Sequence, residues 1–455
     1  MATGIPKTRW NGEQLGGAVQ EASGNGPEVS LAYAGKRPET TILKTAPAEL
    51  IEIWRHQSTP MGGENRLYFG DNSPILGRLL QDPLVCGHVR LIYIDPPYAT
   101  QSVFQSRSQA DAYRDLLSGA HYLEFMRERL VLLRELLADN GSIYVHLDEN
   151  MAFYIKVIMD EVFGRENYRS WITRKKCNPK NYTRKTYGNV ADFILFYTKS
   201  ERYIWNRPYD DWTPERADRE YQYVEERTGR RYKKVPLHAP GVRNGETGKP
   251  WRGVNPPPGK HWQFSPKTLD EMDARGEIYW SQNDNPRRKI YLDESQGIPV
   301  QDIWLDFRDA HNQNIEITGY PTEKSPDLLA RIICASSNPG DLVLDSFSGS
   351  GTTLAVSARL GRHWIGIDSS PEAISATLRR FAKGLERMGD FVSQRKSPSN
   401  GDSEGTLPLF GIDAVADIDA HHANERDSIT DFALLAAQPY AGELDAILTQ
   451  WQAWI

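Results

Sequence analysis

The stretch DLVLDSFSGSGTTL, residues 341–354, constrains the fold more than any other part of the chain. Residues 341–345 read as a short apolar strand, 346–351 as a glycine-rich turn and 352–360 as a helix, with a second strand, WIGID, at 364–368. This is the layout of a mononucleotide-binding unit, and it sets an α/β fold. Gly349 and Gly351 let the backbone approach a ligand closely, and Thr352 and Thr353 are expected to supply capping oxygens. Asp368 ends the second strand, where an acid accepts hydrogen bonds from ribose hydroxyls.

The turn excludes several ligands. A phosphate-cradling loop needs Gly-Lys-Ser/Thr, but Thr352 follows Gly351 directly. A dinucleotide fold needs a third glycine where Leu354 stands. Ser350 is not a nucleophile elbow, because neither Phe347 nor Ser348 is glycine. A nucleoside ligand without a pyrophosphate remains, and S-adenosylmethionine is the commonest of these.

A second constrained stretch is LIYIDPPY, residues 91–98. Four apolar residues form a buried strand, and the missing N–H groups of Pro96 and Pro97 end its ladder abruptly beside the carboxylate of Asp95. Further strands are expected at 66–70, 142–147 and 192–198, and helices at 122–138, 151–163, 325–337 and 371–385. The segments divide into an N-terminal extension (1–60, loosely structured), a first α/β half (61–200), an irregular β-rich insertion (201–318), a second α/β half (319–390), and a polar linker with a C-terminal segment able to dock back (391–455).

Charge narrows the partners. The 455 residues carry a formal −6, yet residues 169–234 hold 17 Lys+Arg against 9 Asp+Glu, a local +8 that leaves −14 for the remainder. Trp171, Tyr182, Tyr187, Tyr203, Trp205, Tyr209, Trp212, Tyr221 and Tyr223 interleave with these cations, a composition suited to phosphates and bases. Arg174, Lys175 and Lys176 form its densest cluster and are expected to contact nucleic acid. No apolar run approaches the ~18 residues of a membrane span. The N-terminus lacks an apolar signal region, and three scattered cysteines (Cys86, Cys177, Cys334) form no ligand-spaced cluster, so a reducing cytoplasm and no metal are expected.

DPPY (95–98) and SFSGSGTT (346–353) together resemble the catalytic and cofactor motifs of amino-group DNA methyltransferases. Their order, catalytic motif first and cofactor motif after a long insertion, is similar to that of the circularly permuted β class. The resemblance spans about 65–385 and includes segments similar to type III modification subunits. It implies a permuted Rossmann-like methyltransferase fold with an inserted target-recognition domain, S-adenosylmethionine as cofactor and methylation of double-stranded DNA. Asp95, Pro96, Pro97 and Tyr98 are then catalytic. Asp71, Thr322, Lys324, Asp345, Phe347, Gly349, Gly351, Thr352 and Asp368 are then cofactor-binding. Asp95 and the Pro96 carbonyl would accept the two hydrogens of the target amine, and Tyr98 would stack on a flipped base. Ser346 and Ser348 depart from the Pro or Cys often found there.

The acid at position 95 favours adenine N6, with cytosine N4 the alternative. The intact motifs oppose a catalytically silent DNA-binding module, and the basic insertion opposes a methylase of RNA or protein glutamine. A cognate restriction subunit and a homodimer are implied partners, with a cytoplasmic, nucleoid-associated location.

Overall fold

The computed structural model describes residues 29–56, 65–97, 119–178, 185–307, 316–317, 323–384, 386–387 and 429–453. Ten strands in these residues form one sheet. In chain order they are β1 (Leu50–Arg55), β2 (Arg66–Phe69), β3 (Val89–Ile94), β4 (Leu137–Leu147), β5 (Tyr168–Lys175), β6 (Ala191–Thr198), β7 (Ile303–Trp304), β8 (Leu342–Asp345), β9 (His363–Asp368) and β10 (Ala433–Ala437). Across the sheet they run β1, β10, β2, β9, β8, β3, β4, β6, β5, β7. From β10 to β4 all neighbours are parallel. β6 is antiparallel to both β4 and β5, and β1 is antiparallel to β10.

The parallel strands are apolar on both faces because both faces are covered. Along β3, Ile92 and Ile94 pack on one side, with residues of helices Ala120–Leu136 and Ala152–Phe163. Leu91 and Tyr93 pack on the other, with helix Pro326–Ser336. The period of two thus sends alternate residues into two separate cores. Helices Thr352–Arg359 and Pro371–Lys383 cover β2 and β9, where Leu354, Ile374 and Phe381 meet Leu67, Phe69 and Trp364. The fold is the permuted Rossmann-like arrangement expected. β8 and β3 are spatial neighbours although residues 95–341 separate them in the chain.

Four strands were not legible in the sequence. β1 lies within the extension expected to be loose, β5 lies within the basic stretch, and β7 lies in the insertion. β10 belongs to the C-terminal segment, which docks on the body: Leu444 and Trp451 are fully buried beside Phe432 and Trp364.

The insertion has a small core of its own, with Leu237, Trp251, Trp262, Leu269, Met272 and Ile278. Its largest sheet has four strands, ordered Ile278–Trp280, Pro286–Tyr291, Arg231–Pro236, Tyr223–Val224. The flanks of this unit return to the main body. β7 pairs with β5, and the buried Arg331 of helix Pro326–Ser336 reaches Asp210 at 2.7 Å and Asp306 at 3.0 Å. One guanidinium therefore ties the incoming and outgoing chain together.

Candidate active site

The site begins where β3 and β8 end. Their parallel register sets Val343 against Leu91 and Leu344 against Ile92, so Asp95 and the glycine turn leave the sheet side by side at its carboxyl edge. In open parallel sheets ligands bind at this edge, where neighbouring crossovers go to opposite faces. Here the helix after β3 lies on one face, and the helix after β8 contributes Leu354, Ala355 and Val356 to the cores on the other.

The turn is held from several directions. Asp345 accepts hydrogen bonds from Phe347 N at 3.0 Å and Thr353 Oγ1 at 2.6 Å, and burial pushes its carboxyl up to about 7. Asp368 accepts from Gly349 N at 2.8 Å and Ser370 N at 2.9 Å; burial raises its carboxyl against these bonds. Thr377 Oγ1 donates to Gly349 O at 3.0 Å, and Arg380 Nε donates to Ser350 O at 2.8 Å. Gly351 has φ +72°, and an added Cβ would lie 2.7 Å from Thr377 Cγ2, so only glycine fits.

Two sequence expectations change here. Thr352 and Thr353 do not cap their helix: the N-cap is Gly351, and Thr353 is spent on Asp345. Asp345 is 2% exposed and serves the turn, because its carboxylate is folded back onto the loop's own donors.

β2 supplies a second wall. Asp71 caps the helix Asn72–Leu79 through Ser73 N, and Asn72 Nδ2 donates to Ser346 O at 2.8 Å. Arg129 binds both, reaching Asn72 Oδ1 at 2.6 Å and Asp71 Oδ1 at 2.9 Å. Its guanidinium lies 3.5 Å from the centre of the Phe125 ring, which in turn lies 6.1 Å from the Phe347 ring. Sequence reasoning passes over Phe125 and Arg129. Their one signal is a cation one turn from an aromatic on an otherwise apolar helix face.

A nucleoside-type ligand fits this end of the sheet. Ser346 Oγ and Ser348 Oγ are buried with no hydrogen-bond partner among the described residues, which leaves two hydroxyls to satisfy. Asp368 accepts from the backbone of Gly349, Ser369 and Ser370, and a carboxylate offers about four acceptor directions.

On the catalytic side, Lys324 Nζ lies 2.6 Å from Asp95 Oδ2. The neighbouring Glu323 pairs with the buried Arg380. The resemblance implies that Lys324 binds the cofactor; among the described residues its ammonium meets the acid Asp95. Tyr98 and Thr322 lie outside the described residues. Thr352 is buried, its hydroxyl 3.2 Å from Ser350 Oγ.

Arg174 requires a correction. It is fully buried and grips Asp192 with Nε at 2.8 Å and Nη2 at 2.7 Å. His146 Nε2 lies 2.9 Å from the same carboxylate, and its Nδ1 meets Tyr93 OH at 2.8 Å. Burial alone would raise the Asp192 carboxyl, but His146 and Arg174 outweigh it and hold it far below the usual range. Arg174 is therefore part of a buried polar chain across β3, β4, β6 and β5, out of reach of nucleic acid. Lys175 and Lys176 remain partly exposed at the end of β5. Other cations of the basic stretch are also engaged: Arg230 pairs with Asp293 and Glu294, and Arg231 with Asp218.

Residues 89–379 match the model of the N6/N4 methyltransferase family described as DNA methylase. The type II methyltransferase M.EcaI of Enterobacter cloacae is 46% identical over 370 residues, 81% of each chain. The type II methyltransferase M.KpnI of Klebsiella pneumoniae is 25% identical over 364 residues, 72% of this chain and 86% of that one. The Mod subunit of the type III restriction-modification enzyme StyLTI of Salmonella typhimurium is 25% identical over 363 residues, 72% of this chain and 54% of that subunit. The chain belongs to the N6/N4 DNA methylase family. No helix among its described residues is long and apolar enough to cross a membrane.

Proposed function

We propose that the protein methylates the N6 amine of adenine in double-stranded DNA at a specific sequence, with S-adenosylmethionine as donor and the target base flipped out of the duplex. The observation that carries this reading is the exit of Asp95 and the glycine turn from adjacent parallel strands. That arrangement brings an amine acceptor beside a nucleoside pocket. Gly349, Gly351, Phe347, Asp368 and Asp71 would hold the cofactor, which supplies an electrophilic methyl group when bound.

The exocyclic amine is a poor nucleophile because its lone pair is delocalised into the ring. Asp95 accepts one amine hydrogen and the Pro96 carbonyl the other, which localises the pair on nitrogen. Neither Pro96 nor Pro97 has an N–H to compete for these acceptors. Tyr98 offers a face for the flipped base, worth ~1–3 kcal/mol by analogy with other stacking sites.

Sequence readout belongs in this proposal to the insertion at 201–318, whose separate small core makes it a distinct unit. Lys175 and Lys176 supply phosphate contacts. A cognate restriction subunit is a natural partner, as a Mod subunit is among the relatives. Assembly as a homodimer and a place on the nucleoid in the cytoplasm complete the reading.

Radiolabelled methyl transfer with Asp95→Ala, alongside calorimetric cofactor binding, tests the mechanism. Transfer should vanish while cofactor affinity holds; near-normal turnover would refute it. Base-resolution sequencing of the modified DNA decides between adenine N6 and cytosine N4.

A further inference from the structure

The three residues before helix Pro326–Ser336 carry no helical or strand pairing, yet all are buried: Glu323 is 3% exposed, Lys324 8% and Ser325 5%. Two consecutive charges in such a place need partners, because a buried unpaired charge is very costly. They find them in different structures. Glu323 pairs with Arg380, whose Nε holds Ser350 O of the glycine turn at 2.8 Å. Lys324 reaches Asp95 at the end of β3. The pair thus spans the gap between the turn that follows β8 and the acid that follows β3. With Glu323 anchored, the backbone of Lys324 is held close to Asp95, and its ammonium reaches that carboxylate.

We infer that Lys324 is a positioning residue for catalysis, which holds the Asp95 carboxylate oriented for the target amine. This rests on the reading of Asp95 as the amine acceptor. A carboxylate free to turn about its Cβ–Cγ bond presents its lone pairs in many directions, and orientation is a large part of what an active site supplies. The ammonium 2.6 Å from Oδ2 removes that freedom. It lies at Oδ2, and a carboxylate offers about four acceptor directions over its two oxygens.

The test compares Lys324→Met, Lys324→Arg and Asp95→Ala on unmethylated chromosomal DNA. Single-turnover transfer is measured at saturating cofactor and DNA, and S-adenosylmethionine affinity by calorimetry. Lys324→Met should slow transfer about 10–100-fold, by analogy with removing a partner that orients a metal ligand. Cofactor affinity should hold, and Lys324→Arg should recover most of the loss. A purely structural role for the lysine stem would be met equally well by methionine.

Weakened cofactor binding with unchanged transfer at saturation would overturn the inference and make Lys324 a cofactor ligand. Unchanged transfer and binding together would overturn it as well. If Lys324→Met does not fold, Lys324→Gln carries the same comparison with the same readings. Normal transfer by Asp95→Ala would sink the acceptor reading itself. A dead Asp95→Ala beside a normal Lys324→Met would sink only the role of Lys324.

Discussion

Arg174 offers the sharpest contrast between a contact with DNA and a contact within the fold. Its side chain is fully buried and forms two hydrogen bonds to Asp192, itself 2% exposed. Arg174→Met keeps most of the volume and removes the charge, leaving the Asp192 carboxylate inside the protein with His146 as its remaining neighbour at 2.9 Å. Removing one partner of a buried pair costs about 3–5 kcal/mol. His146 retains part of the compensation, so the low end, about 3 kcal/mol, is expected. At about 2.1 cal/mol/K of unfolding entropy per residue, a chain of 455 residues shifts by roughly 1 °C per kcal/mol, a fall of about 3 °C in melting temperature. Because the cost is that of an orphaned charge, Arg174→Met with Asp192→Leu should recover much of it. The assay is thermal unfolding of the three proteins, with DNA affinity measured across salt. The salt slope of DNA affinity should not change in Arg174→Met, whereas neutralising Lys175 and Lys176 should flatten it. A variant Arg174→Met that melts normally but shows a flatter slope would refute the buried-pair argument.

Other perturbations follow from the same geometry. Gly351→Ala forces a Cβ to within 2.7 Å of Thr377 at φ +72° and should weaken cofactor binding and lower stability by ~1–2 kcal/mol; Thr377→Ala in the same chain should restore part, as calorimetry and melting would show. Asp368→Ala should weaken S-adenosylmethionine binding by ~1.5–3 kcal/mol, and unchanged affinity in calorimetry would remove the ribose assignment. Asp345 has its carboxyl raised from 3.8 to about 7, so the folded state binds its proton more tightly and the fold is penalised progressively from about pH 4 to pH 7. Asp345→Asn should therefore gain stability relative to the parent across that window and hold the gain above it; equal gaps in melting temperature at pH 4 and pH 8 would contradict this.

The legible parts of the molecule were those whose signal is local. The glycine turn, the strands on either side of it and the double proline after β3 each carry their information within about ten residues, and the structure has them together. Helix spacing located Ala120–Leu136 within two residues, but it weighed only the apolar positions and so passed over Arg129. The illegible parts were settled by partners far away in the chain. A basic triplet at 174–176 looks like surface until Asp192 and His146 close on Arg174. Lys324 belongs to a carboxylate 229 positions earlier, and no spacing rule connects the two. β1 and β10 escaped notice for the same reason, since β1 pairs with β10 and β10 with β1 and the distant β2.

The place of β10 has a consequence for how the protein is made. This strand fills the slot between β1 and β2, and it pairs along the whole of β2, from Ala433 beside Arg66 to Ala436 beside Phe69. Its residues are synthesised more than 360 positions after β2. At ~5–20 residues per second, ribosomes need about 20–70 s to cover that distance. Both sides of β2 are bare until β9 is made, and the side toward β10 stays open to the end of the interval, with the apolar Leu67 and Phe69 beside it. A nascent sheet in that condition can accept a strand from another chain as readily as its own. Slower crowding of unfinished chains, through low induction or chaperone cover, should raise the yield of folded enzyme without changing a single residue of its site.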